Sequence, residues 1–180
     1  LDELAREAGE RARAGTPREA AEHAEMLLLA VHWSRVDDVL KQAGDISGKI
    51  LVTCSLPMNA DDTGLVVAHT SSGAEELAKK VRGARVVSAF GTVPSEVLFA
   101  VFDARHGERR PSLVYSGDDD EARAEVATLI RDIGFDPVDA GPLEVARYSE
   151  PFTLLLAKLA YEVYDNPALA YRFERYEERT

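Results

Sequence analysis

The chain is short of cysteine, of basic charge and of long apolar runs, and each shortage removes a class of function. Its single cysteine, Cys54, has no second thiol in the chain to bond with, which fits a reducing compartment such as the cytoplasm. Lys and Arg number 21 against 32 Asp and Glu, a net charge of −11. Nucleic acid and anionic membrane surfaces are therefore not expected partners. No apolar run approaches the length of a membrane span, and no secretory leader pattern is visible. The histidines His23, His69 and His106 stand apart from one another and from thiols, so no metal site is expected. Asp61-Asp62 lacks the further oxygen ligands of a calcium loop, and Ser71 and Ser72 sit in no G-x-S-x-G elbow. Twelve glycines are present, yet none falls into a G-x-G-x-x-G turn.

What is present is ordinary for a folded protein. The 180 residues are 46% hydrophobic and 29% charged, enough for one domain (1–180) with a substantial core. Short apolar runs alternate with amphipathic stretches. A helix covers Asp2–Ala8, and Arg11–Ala14 is a weak strand candidate. Thr16-Pro17-Arg18-Glu19 is a helix start, with Pro at the first helical position and a capping-box glutamate. Met26–Val31 and Lys49–Cys54 have the unbroken apolar character of strands buried on both faces. Helices are expected over Ser34–Ala43 and Ser72–Lys80, and strands over Ala84–Phe90 and Ser112–Ser116. A longer helix runs from the acids at 118–120 to Ile133, where Gly134 ends it. A short strand follows at Phe135–Asp139. Glu150 to Tyr164 is helical, with Phe152, Leu155, Leu156, Leu159 and Val163 on one face, and Asn166-Pro167 opens a last helical segment within a helical C-terminus of 150–180. The alternation predicts an α/β doubly wound, mostly parallel sheet with C-terminal helices.

Several segments together resemble the family of F420-dependent NADP oxidoreductases. They are Leu29-Ala-Val-His-Trp33, Ser72-Gly-Ala-Glu-Glu-Leu77, Ala84-Arg-Val-Val-Ser-Ala-Phe90 with Thr92-Val-Pro94, and Ser116-Gly-Asp-Asp119. The most specific is Ile133-Gly-Phe-Asp-Pro-Val-Asp-Ala-Gly-Pro-Leu143, followed by Ala146-Arg147. The resemblance implies a Rossmann-like fold and hydride transfer between NADP (or NAD) and coenzyme F420 or a similar flat acceptor. Such proteins open with a strand, a glycine-rich turn, a helix and a second strand. Their pattern would place roughly 30 to 40 further residues, one βαβ unit, before Leu1. The expected fold is thus an N-terminally truncated one. In strand order 3-2-1-4-5-6, Met26–Val31 would then lie at an edge.

Ligands of open α/β sheets lie beyond the carboxyl ends of the strands. By resemblance, Val31, His32 and Trp33 line the dinucleotide at one strand exit, and Cys54, Ser55, Leu56 and Pro57 at the next, with Ala89 beside them. The bland alternative makes Trp33 a core anchor, His32 a solvated loop residue and Cys54 a small buried hydrophobe. Phe90, Gly91, Thr92 and Pro94 are the expected junction with the acceptor, Gly91 letting backbone approach a flat ring. Many relatives carry Asn or His where Gly91 stands, which leaves the acceptor open. Gly141 and Pro142 resemble a segment flanking the acceptor pocket, and read otherwise as a tight turn. The basic loop Arg105, His106, Arg109 and Arg110 either meets the acidic tail of F420 or is solvated.

No catalytic side chain is expected, because hydride chemistry resides in the cofactors. Two other functions fit: a reductase of an imine or metal complex on the same architecture, and a non-catalytic dinucleotide-fold scaffold. A homodimer contact through the C-terminal helix is the only expected protein partner.

Overall fold

A computed structural model describes residues 1–176 of the 180. Helices α1 (Asp2–Ala8) and α2 (Pro17–His23) lead into strand β1 (Met26–Leu29). Then alternate α3 (Val36–Ala43), β2 (Ile50–Thr53), α4 (Gly73–Lys80), β3 (Arg85–Ser88), α5 (Val97–Asp103), β4 (Ser112–Gly117), α6 (Asp120–Ile133) and β5 (Asp136–Asp139). Helix α7 (Ala146–Ala157) follows and runs on as a π-helical stretch, Lys158–Val163.

The strands form one sheet in the order β1-β2-β3-β4-β5. Every pairing is parallel except β3 with β4, which meet antiparallel through Val87–Gly117 and Ser88–Ser116. The sheet is thus Rossmann-like and mostly parallel. Because side chains alternate along β2, Ile50 and Val52 join a core with α5 and α6, while Leu51 joins a second with α2, α3 and α4. Helices therefore cover both faces. Among the described residues no helix is long and apolar enough to cross a membrane.

Local signals set most boundaries. Thr16 accepts from Glu19 N–H (3.2 Å) while the Glu19 carboxylate takes Thr16 N–H (2.7 Å), completing the capping box. Gly134 closes α6 at φ 114, where a Cβ would come within 2.8 Å of Val101 O. β1 is an edge, as expected, but ends at Leu29, and Leu28 is 59% exposed rather than buried on both faces.

Four expectations fail. Arg11–Ala14 is not a strand: the chain turns there, Ala12 N–H reaching back to Gly9 O, and no neighbouring strand draws it out. α5 was not anticipated, although Val97 and Val101 carry helical spacing after Pro94. The inward side of α7 and its extension is Ala146, Glu150, Leu156 and Ala160, while Leu155 and Val163 are 53% and 60% exposed. Among the described residues no helix follows Asn166-Pro167. β3 stops short of the first half of β4, and the extended tail takes up that unpaired backbone: Ser112 N–H donates to Tyr171 O (2.8 Å). Residues 177–180 of the expected helical C-terminus lie outside the described residues.

Candidate functional site

The carboxyl ends of β1, β2 and β3 point the same way, and their exits are tied together. Ser55 Oγ lies 2.7 Å from Val31 O, 3.2 Å from Leu29 O and 3.3 Å from Val31 N, so one buried hydroxyl holds the β1 exit to the β2 exit. Ala89 N–H donates to Thr53 O (3.0 Å), joining the β3 exit to the same group. Val31, Cys54, Ser55, Leu56 and Ala89 are thus brought together. Burial pushes the Cys54 thiol up from its ordinary pKa, and its Sγ donates to Leu29 O (3.6 Å). It is a packed thiol, not a nucleophile.

His32 and Trp33 flank this wall in plainer roles. His32 Nδ1 accepts from Ser34 N–H (3.3 Å), capping the short turn Trp33–Arg35, which leaves Nε2 as the donor to Asp62 (2.9 Å). Trp33 is half-buried against the core beneath α3 and α4. Pro57 is fully buried against α4, so close that a Cβ on Gly73 would fall 2.8 Å from its ring. Gly73 is required there.

Beyond β3 the backbone departs from expectation. The residue with a left-handed conformation is Phe90, at φ 64, and not Gly91. A Cβ on Gly91 would make only ordinary contact, 3.5 Å from Cys54 O. A bulky residue held at positive φ is strained, and such strain collects at functional turns. The turn opens on a cleft of 200 Å³ lined by Gly91, Thr92, Pro94, Thr153, Leu156 and Tyr161, so α7 forms its far wall. Tyr161 Oη donates to the Glu96 carboxylate (3.0 Å) beside it.

The tail completes this region. Tyr171 Oη lies 2.8 Å from Thr92 Oγ1 and accepts from Val114 N–H (3.2 Å), and its ring packs edge-on to Phe152 and Phe173, each at 5.3 Å. Gly141 and Pro142 line neither this cleft nor the chamber described next. They form the turn after β5, where Gly141 (φ 89) accepts from Gly117 N–H. Arg105 stacks on Phe102 at 3.9 Å, and Arg110 donates to Arg105 O and Arg131 O, so these two cations of the basic loop serve the local fold.

The least expected residue is Glu150. It is 4% exposed, and its two oxygens accept from Gly73 N–H (2.8 Å) and Ala74 N–H (2.9 Å) at the start of α4. Arg147, one turn earlier on α7, grips Glu75 of α4 through two bonds of 2.9 and 2.6 Å. That pairing holds the Glu75 carboxyl below its ordinary pKa, whereas burial pushes Glu150 up to about 7 against the pull of its two N–H donors. Glu150 also borders a chamber of about 10 Å³ with Thr53, Ser55, Ser88, Ser149 and Thr153. Sequence reasoning missed Glu150 and Tyr171. For Glu150 a signal existed: a carboxylate on the stripe with Ala146, Thr153 and Ala160, the inward face of α7. No cluster of metal ligands occurs among the described residues.

This geometry fits what comparison with known proteins finds. A family model described as NADP oxidoreductase, coenzyme F420-dependent, matches residues 1–57. Metalloreductase STEAP3 of Rattus norvegicus is 33% identical over 138 residues, 77% of this chain and 27% of that protein, so the chain spans about a quarter of this relative's length. A solved structure of a candidate F420-dependent NADP-reductase from Arthrobacter sp. FB24 superposes with a TM-score of 0.80 at 26% identity, covering 89% of this chain and 74% of that one. A Sinorhizobium meliloti protein does so with a TM-score of 0.69 at 28% identity, covering 88% and 71%. The first 57 residues thus match the coenzyme F420-dependent NADP oxidoreductase family, and the whole chain has the Rossmann-like fold and sequence similarity of NAD(P)-dependent oxidoreductases.

Proposed function

We propose that this chain serves hydride transfer between NADP(H) and coenzyme F420 or a similar flat acceptor. The observation that carries the reading is that three strand exits are tied to one another and that the last of them, after β3, opens on a cleft of 200 Å³ walled by α7. The dinucleotide would lie along Val31, His32 and Trp33, then Cys54 to Pro57, and reach Ala89. The acceptor would enter beside Phe90, Gly91, Thr92 and Pro94. The bound nicotinamide supplies the hydride. The protein's part is to hold the two rings against each other and keep water out.

The described residues fit the nicotinamide end better than the pyrophosphate end. Ser34 N–H at the β1 exit is taken by His32, and two N–H groups at the start of α4 are taken by Glu150. Together with the absence of a G-x-G-x-x-G turn from the sequence, this predicts that these 180 residues bind NADPH far more weakly than a chain with a free, glycine-rich helix start.

The test is to incubate the chain with NADPH or NADH and, in turn, F420, a flavin, a cyclic imine and a ferric chelate, following loss of reduced nicotinamide. Turnover with F420 and NADPH supports the reading; turnover confined to the imine or the chelate displaces F420 as acceptor. Of these two alternatives, the chelate has the support of the likeness to a metalloreductase. A chain that oxidises no reduced nicotinamide even at NADPH concentrations high enough to offset its weak binding would be the scaffold instead. A homodimer would form on the outer side of α7 and its extension, where Leu155, Val163 and Tyr164 are exposed, and sedimentation would reveal it.

A further inference from the structure

Reducing a flat C=N acceptor requires a hydride on one atom and a proton on another. The nicotinamide accounts for the first. Nothing above accounts for the second. This inference rests on the proposed function and asks where that proton comes from.

One buried group has the right surroundings. Among the described residues, Glu150 accepts from two backbone N–H groups and pairs with no cation. The charged and titratable groups facing it are Glu75 on α4, whose like charge opposes ionisation, Arg147 on its own helix, which is spent on Glu75, and the thiol of Cys54 across the chamber. The chamber beside it is about 10 Å³, roughly the room one water needs. It is lined by Thr53, Ser55, Ser88, Ser149 and Thr153, although the Ser55 and Thr153 hydroxyls already donate to backbone carbonyls. Directly across the ladder from Ser88, the buried Ser116 hydroxyl has no partner among the described residues. Gly91, Thr92 and Thr153 border both the chamber and the acceptor cleft, so the two cavities share a wall.

We propose that Glu150 is the proton source for the acceptor cleft, delivering its proton through a water in this chamber. The balance is simple. A C–H bond of the reduced nicotinamide is given up and a C–H bond forms on the acceptor, which takes the electron pair. The O–H bond of Glu150 breaks and an N–H bond forms on the acceptor by way of the water. The carboxylate left behind is held by the N–H groups of Gly73 and Ala74 until solvent returns a proton. That a group pushed up to about 7 exchanges protons readily near neutrality is consistent with the role.

The test compares the wild type with Glu150→Gln, measuring NADPH oxidation by F420 or a cyclic imine across neutral pH. The expected wild-type rate falls as pH rises above about 7. E150Q should lose that limb and turn over roughly 100-fold more slowly; the lost limb, not KM, is the readout, because its amide oxygen can accept from only one of the Gly73 and Ala74 N–H groups. With a ferric chelate, which takes electrons without an N–H bond, the two should differ little. A second readout needs no turnover: the ¹³C signal of the Glu150 carboxyl in the wild type should titrate near 7. A midpoint in the ordinary carboxylate range, or an E150Q profile that keeps the wild-type limb, overturns the proposal alone. Failure of the wild type to reduce any acceptor at saturating NADPH overturns the oxidoreductase reading and this proposal with it.

Discussion

Two helices that follow strands, α4 and α6, face the same electrostatic problem and solve it differently. Each leaves N–H groups unpaired at its first turn and gathers carboxylates there. α6 is served locally: Asp119 accepts from Ala122 N–H (2.8 Å), three residues along. α4 has a local cap too, Ser72 accepting from Glu75 N–H (3.1 Å), but its remaining donors are met by Glu150, 77 and 76 residues away. A local cap makes a helix end where it does. A remote one also decides where another helix lies, and here that helix is the wall of the cleft. The same chemistry is structural in one place and architectural in the other.

The comparison breaks most visibly at Glu150. Glu150→Ala leaves two buried N–H groups without acceptors, at roughly 1–3 kcal/mol each. Urea unfolding at neutral pH should show a loss of about 2–6 kcal/mol, with α7 loosened and the cleft open. A loss under about 1 kcal/mol would mean that water replaces the carboxylate and that the latch is not architectural.

Next comes pH, because the two glutamates at the start of α4 carry opposite signs. The folded pKa of Glu150, about 7, stands above its ordinary 4.5, so the fold favours the protonated acid. Its contribution is full below 4.5 and is lost as pH rises through about 7, a swing of roughly 3 kcal/mol at about 1.4 per unit. Glu75 is depressed by Arg147, so its contribution is present above the ordinary glutamate value and lost as pH falls through its lowered pKa. The difference in unfolding free energy between wild type and Glu150→Gln should therefore change across pH 4.5 to 7. Glu75→Gln should alter only the acid side. Parallel pH curves for wild type and E150Q would show that Glu150 ionises in the fold as it does in solvent.

Smaller again is Tyr171→Phe, which removes the hydroxyl bridging Thr92 and Val114 N–H while keeping the aromatic packing. A loss of about 1 kcal/mol is expected in the same assay. The other effect should be a raised KM for the acceptor, since Thr92 lines the cleft. Unchanged KM with lowered stability would make the tail a strap for β4 and no part of the cleft.

How far the sequence could be read follows the same division between near and distant partners. Thr16 with Glu19, Ser72 with Glu75, and Gly134 after Ile133 are short-range patterns, and each does locally what its residue type suggests. The apolar β2 is buried along its whole length, and the exits after β1, β2 and β3 meet as their positions imply. The failures are long-range. Among the described residues no strand pairs with Arg11–Ala14, so its composition decides nothing. The tail after Asn166 extends because β4 offers it unpaired N–H groups, a fact set by where β3 stops. Phe90 takes the positive φ beside an available glycine, which no propensity foretells. Glu150 and Tyr171 act on residues 76–77 and 57–79 positions away.

The mildest test returns to α6. Asp119→Ala removes the acceptor for Ala122 N–H, and also a carboxylate lying 3.6 Å from Arg85. Asp119 is partly solvated, so water can take over as acceptor and the ion pair contributes little. The expected loss is that of an ordinary N-cap, about 1 kcal/mol. It should fade little with pH near neutrality and leave acceptor KM where it was, since Asp119 lines neither cavity. The decisive quantity is its ratio to the Glu150→Ala loss under identical urea conditions. If the two losses are equal, distance along the chain has no bearing on what a cap is worth. If the remote one is several times larger, the extra free energy measures what it takes to hold α7 over the cleft.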